Sequence, residues 1–111
     1  MNNDRLQKLL AFLDNDPADP FIKYALATEY MKQKDQKQAL IYYEDLLMNN
    51  ENYVGTYYHA GKLYETMGRP AEAIKVYEKG MAIAKTANDM HAFSELQTVY
   101  LSVTGPDYEN D

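Results

Sequence analysis

The chain has no cysteine and no tryptophan, and only five glycines and four prolines among 111 residues. Without cysteine there is no disulfide framework, thiolate metal site or thiol nucleophile. So few glycines and prolines cannot supply the turns of a many-stranded β domain. Long apolar runs are missing too, so the sequence offers no candidate for a membrane-spanning helix. Asn2, Asn3 and Asp4 follow Met1 with no basic run or apolar segment behind them, so no secretory signal is expected. Basic charge is scarce. Eleven Lys and Arg stand against seventeen Asp and Glu, a formal net charge of -6. Asp107, Glu109 and Asp111 hold three of those negative charges at the C-terminus, leaving about -3 for the body. An acidic body repels phosphate backbones, which argues against nucleic acid as a partner. The one excess is tyrosine, with eleven residues beside three phenylalanines. Tyrosine combines a large apolar ring with a polar handle and serves both helix packing and interfaces.

Shifted by 34 residues, the sequence falls on itself. Tyr24 meets Tyr58, Ala27 meets Gly61, and Tyr30 meets Tyr64. Ala39 meets Ala73, Leu40 meets Ile74, Tyr43 meets Tyr77 and Glu44 meets Glu78. A period of this length marks one supersecondary unit copied along the chain. Stacked units make surfaces more readily than active sites.

Helical periodicity and breaks give six helices. The first spans 3–14, with Asn3 as its cap and Leu6, Leu9, Leu10 and Leu13 on its apolar stripe. Asp14 to Pro20 is a turn, with Asp19 capping and Pro20 opening a second helix over 20–33. The third covers 36–49 after a break at Lys34 and Asp35, and the fourth 53–67. Gly68 is placed to end the fourth helix in a left-handed conformation, and Pro70 opens the fifth, 70–86. Asn88 and Asp89 cap a sixth helix over 89–103, which Gly105-Pro106 ends. The short breaks force antiparallel neighbours. The expected fold is all-α, a short stack of antiparallel helix pairs in a single domain over 1–104, with residues 105–111 as a flexible acidic tail.

These residues resemble the tetratricopeptide repeat, a degenerate 34-residue pattern of small and large residues on a helix pair. Repeat one would run over 20–53 and repeat two over 54–87, with 3–19 as a preceding half-repeat and 88–104 as a capping helix. The small residue of the first helix is matched by Ala27 and Gly61, and the aromatic one turn on by Tyr30 and Tyr64. The second helix is matched by Ala39 and Ala73, then by Tyr43 and Tyr77. Repeat one departs from the pattern at Lys23, where repeat two has the aromatic Tyr57. It departs at Lys34, where repeat two has Gly68, and at Leu46, where repeat two has the small Gly80.

The resemblance implies a right-handed superhelical stack whose first helices line a concave face. Phe21, Tyr24, Thr28 and Met31 would point into it from repeat one, and Gly55, Tyr58, Lys62 and Glu65 from repeat two. The implied function is non-catalytic protein binding, as an adaptor or scaffold that takes a peptide or protein segment on that face; the lack of cysteine and of a secretory signal makes the cytoplasm the expected compartment. A self-associating structural protein, dimerising through its repeat surfaces, is the alternative. Some relatives grip a C-terminal carboxylate with Lys, Arg and Asn. The corresponding positions here hold Tyr24, Thr28, His59 and Lys62, which do not make that clamp. No cofactor or metal is expected. His59 and His91 lie on different helices without the spacing of a zinc site. Glu44 and Glu78 read as solvated helix faces or partners of lysines rather than an acid–base pair.

Overall fold

The structure, a computed structural model, describes residues 4–105. These fold into six α-helices with no strand among the described residues. The helices are α1 Asp4–Asn15, α2 Pro20–Lys32, α3 Gln36–Asn49, α4 Gly55–Thr66, α5 Pro70–Thr86 and α6 Met90–Thr104. They divide into two compact units whose boundary falls between Tyr53 and Val54. The expected cap Asn3, and the tail from Pro106 onward, lie outside the described residues.

In the first unit α1 packs on α2 and α2 on α3. Leu6 and Leu9 of α1 join Ile22, Ala25 and Leu26 of α2 in one apolar cluster, with Leu10, Leu13, Tyr30 and Tyr42 packed around it. Ala27 and Ala39 are fully buried, which lets the backbones of α2 and α3 approach. In the second unit α4 packs on α5 and α5 on α6, and α4 also touches α6. Ala60, Ala73, Tyr77 and Ala84 are fully buried there, and Tyr57 and Leu96 nearly so. Ile74 and Met81 of α5, which the helical spacing of its apolar residues predicts to be inside, are only half-buried.

Local chemistry explains where the helices begin. The Asp19 carboxylate accepts from the Phe21 N–H at 2.9 Å, and Pro20 presets the first turn of α2. Asp35 accepts from the Gln38 N–H at 3.2 Å and Asp89 from the Ala92 N–H at 3.1 Å. Arg69 precedes α5 and closes a two-bond fork on Glu72 while its guanidinium lies 4.7 Å over the Tyr64 ring.

Three helices end in the same way. Lys34, Gly68 and Asn88 have φ of 62°, 76° and 60°, the left-handed region. In each case the residue after it donates its N–H five residues back. Asp35 bonds the Tyr30 carbonyl at 2.9 Å, Arg69 that of Tyr64 at 2.8 Å and Asp89 that of Ala84 at 2.8 Å. These are Schellman turns. The glycine missing at Lys34 does not change the turn. The lysine adopts the strained conformation itself. Asn88 therefore ends α5 instead of capping α6, and Asp89 does the capping alone.

A lysine at positive φ costs about 1 kcal/mol relative to glycine, partly offset by the glycine's greater freedom in the unfolded chain. Lys34→Gly should therefore raise the melting temperature by a few degrees, and Gly68→Ala should lower it. A Lys34→Gly protein that melts at or below the parent in a calorimetric scan would rule out strain at this turn.

Candidate peptide-binding face

Phe21, Tyr24, Thr28 and Met31 recur at helical spacing along one stripe of α2. Phe21 is 61% exposed, while Tyr24, Thr28 and Met31 are half-buried. The Tyr24 ring lies 6.5 Å from that of Tyr43 and 5.6 Å from that of Tyr53. Burial raises the Tyr24 pKa, and Tyr53 beside it adds to the shift. Tyr43 underneath is pushed up to about 12, first by burial and then by Tyr24, against the pull of a hydrogen bond with Thr28. Thr28 also donates to the Tyr24 carbonyl at 3.0 Å. The stripe is thus anchored by tyrosines on its inner side and ends in an open phenylalanine.

Gly55, Tyr58, Lys62 and Glu65 repeat that spacing on α4. Gly55 and Lys62 are exposed, and Tyr58 and Glu65 are half-buried. Glu65 has work within the unit, since its carboxylate accepts the Tyr77 hydroxyl at 2.5 Å. Burial and then this bond hold the Tyr77 phenol far above its ordinary pKa, so it stays protonated and donating. Tyr58 sits edge-on to His59, with ring centroids 5.4 Å apart. Burial of the His59 ring lowers its pKa, and Glu95 works in the other direction.

Tyr58 also lines a recess of about 240 Å³ against His91, Ser94, Glu95, Thr98 and Val99 of α6. His91 Nε2 lies 3.4 Å from the Glu95 carboxylate. The Thr98 hydroxyl donates to the Ser94 carbonyl at 3.0 Å, so its oxygen can still accept. The sequence reading missed this α6 wall because it took α6 as a cap and sought binding residues only on α2 and α4. The first unit has a recess of its own, about 450 Å³, lined by Pro20 and by Met48 to Tyr53 at the end of α3.

Glu78, read as a solvated carboxylate, accepts the Tyr100 hydroxyl at 3.1 Å. Among the described residues, no group of three or more His, Asp or Glu side chains could hold a metal ion, and no helix is long and apolar enough to cross a membrane.

Comparison with known proteins places the fold. A family model for the tetratricopeptide repeat matches residues 54–86, the α4–α5 pair. The crystal structure of a tetratricopeptide repeat domain protein from Salinibacter ruber is 42% identical to the chain. The alignment covers 79% of this chain and 98% of that one, with a TM-score of 0.76. The chain belongs to the tetratricopeptide-repeat family. A solution structure of a tetratricopeptide repeat domain protein from the same organism gives 43% identity, 82% and 92% coverage and a TM-score of 0.77. A Bordetella parapertussis protein at 23% identity shares the fold, with a TM-score of 0.75 over 91% of this chain and 88% of that one. No curated protein matches.

Within this tetratricopeptide-repeat chain, two departures of the first repeat from the family pattern belong together. In the second unit a Cβ added at Gly80 would stand 2.5 Å from the Tyr57 Cβ and 2.8 Å from its Cγ, so the small residue exists to admit the aromatic one. The matching positions of the first unit hold Lys23 and Leu46. There a slim stem replaces the ring and a leucine replaces the glycine, so bulk moves from one helix to the other. Lys23 is 6% exposed, and its ammonium donates to Asp45 at 2.9 Å and to Asn50 at 3.2 Å. The family is one of repeat domains that act as protein-interaction modules, and its fold carries that general statement to this chain.

Proposed function

We propose that the chain, without catalysis and as an adaptor, binds partner-protein segments on the stripe presented by α2 in the first unit and on that presented by α4 in the second. The observation that supports this most is Tyr58. Its ring borders a recess that brings the Glu95 and Thr98 side chains of α6 beside it, and the residue is only half-buried. An aromatic side chain with two torsions and a hydroxyl handle anchors interfaces at low entropic cost. Phe21, open to solvent on the matching stripe of α2, supports the reading further.

The test is capture of partners from the native cell by the parent and by a Phe21→Ser, Tyr58→Ala double variant. Tyr24 is left in place, because its packing on Tyr43 and Tyr53 ties it to stability. The double variant should melt within a few degrees of the parent and lose capture by tenfold or more, as hot-spot truncation does. Undiminished capture by a folded double variant would move binding to another surface.

A further inference from the structure

We propose that the recess between α4 and α6 takes a basic side chain of the partner, an arginine, stacked on Tyr58 and paired with Glu95. The proposal rests on the reading that partners are taken on this face, and names the chemistry they must carry there.

Size comes first. At about 240 Å³ the recess lies below the range of pockets for drug-sized ligands and cofactors, so it suits one side chain rather than a small molecule. Its chemistry is that of an acceptor. Glu95 offers a carboxylate that is 55% exposed, and Thr98 has committed its proton to the Ser94 carbonyl, leaving its oxygen to accept. A guanidinium carries only donors and matches that inventory. Its flat face also suits the Tyr58 ring, as cation–π contact. An anionic group would meet Glu95 and, beyond it, a chain whose net charge is -6. The same net charge draws a basic segment in from a distance.

The other charged groups nearby set the limits. His91 stands 3.4 Å from Glu95 and competes for it when protonated. It is 84% exposed, so it can swing away at little cost. His59 lies beside Tyr58 on α4 and is exposed; partial burial of its ring lowers its pKa, while the Glu95 carboxylate acts in the other direction. Lys62 follows Tyr58 by one turn on the same stripe, is exposed, and repels a second cation. The recess therefore accepts one basic residue and disfavours a basic run.

The experiment uses the full chain, labelled with nitrogen-15, and two capped heptapeptides. One has arginine flanked by three alanines on each side, and the other has citrulline in its place. Citrulline keeps the shape and removes the charge. The arginine peptide should shift amides of Tyr58, Ser94, Glu95 and Thr98 in NMR titration. The citrulline peptide should bind about fivefold more weakly or worse. Glu95→Gln should cost a similar factor with the arginine peptide, because a charge-assisted bond is lost at a partly exposed site. Lys62→Met should tighten binding severalfold. Equal binding of the two peptides, shifts away from α4 and α6, no shifts at millimolar peptide, or a Glu95→Gln protein that binds like the parent would each overturn the proposal. Capture from the native cell separates the two levels of inference. If Glu95→Gln captures like the parent while Tyr58→Ala fails, the arginine recess falls and the binding face stands. If Tyr58→Ala also captures like the parent, the face itself falls.

Discussion

Gly80→Ala should be among the most damaging single methyl groups that can be added to this protein. The new Cβ would stand 2.5 Å from the Tyr57 Cβ and 3.0 Å from the Leu96 Cδ1. The Tyr57 Cβ is fixed to its helix backbone and cannot turn aside, so α4 and α5 must separate. Tyr57 is 1% exposed and Leu96 2%, so no free space absorbs the shift. Overpacking of this kind costs about 3 kcal/mol, the upper part of its usual range. In a domain of this size that lowers the melting temperature by roughly 10–20 °C. Gly61→Ala should cost a comparable amount. There the obstacle is the fully buried ring of Tyr77, whose Cε1 would stand 2.1 Å from the new Cβ and whose tilt would break its bond to Glu65. Gly55→Ala, exposed at the start of α4, should instead stabilise slightly through helix propensity. Thermal melts of the three variants give the order directly. A Gly80→Ala protein that melts with the parent would mean that the two helices are not in close contact.

The second large effect is an asymmetry across one ion pair. Asp45→Ala should cost about 2–3 kcal/mol, whereas Lys23→Met should cost less than about 1. The Lys23 side chain is 7% exposed and the Asp45 side chain 37%. Removing the aspartate leaves an ammonium inside the unit with only Asn50 to accept from it. Removing the lysine charge leaves an aspartate that water can reach and that Asn49 already bonds at 2.8 Å. Solvent screening at Asp45 keeps the figure below that of a fully buried pair.

The pair also sets a pH dependence. Burial pushes the Asp45 pKa up, but hydrogen bonds from Asn49 and Lys23 and the lysine's charge outweigh it, and the net shift is downward from 3.8. A depressed folded pKa means stability that is present above 3.8 and lost as the pH falls through the folded value. Lys23→Met should shrink that acid loss. Equal costs for the two substitutions in urea unfolding would show that the pair behaves as an exposed one.

How much of this was legible beforehand differs from residue to residue. Ala39 and Ala73, found by their phase alone, are fully buried. Gly68, Pro20, Pro70 and Asp19 stand where capping chemistry puts them. Lys34 was legible only as a departure. That it would bend to the glycine's conformation is a matter of two backbone hydrogen bonds outweighing about 1 kcal/mol of strain. Glu65 was placed on the binding stripe, where its spacing puts it, but its bond to Tyr77 needs α4 and α5 side by side.

The sequence by itself determined the six helices, their order, the 34-residue unit and the family, because these rest on local periodicity, on turn residues and on small residues repeated in phase. Tertiary structure alone decided what touches what across helices. It paired Lys23 with Asp45 and Asn50, joined Tyr57 to Gly80, and set Glu95 and Thr98 of α6 beside Tyr58. The physical reason is distance along the chain. A helix is written in neighbours three and four residues apart. A contact between residues twenty or more apart depends on how two surfaces fill the same volume, and only the folded chain fixes that.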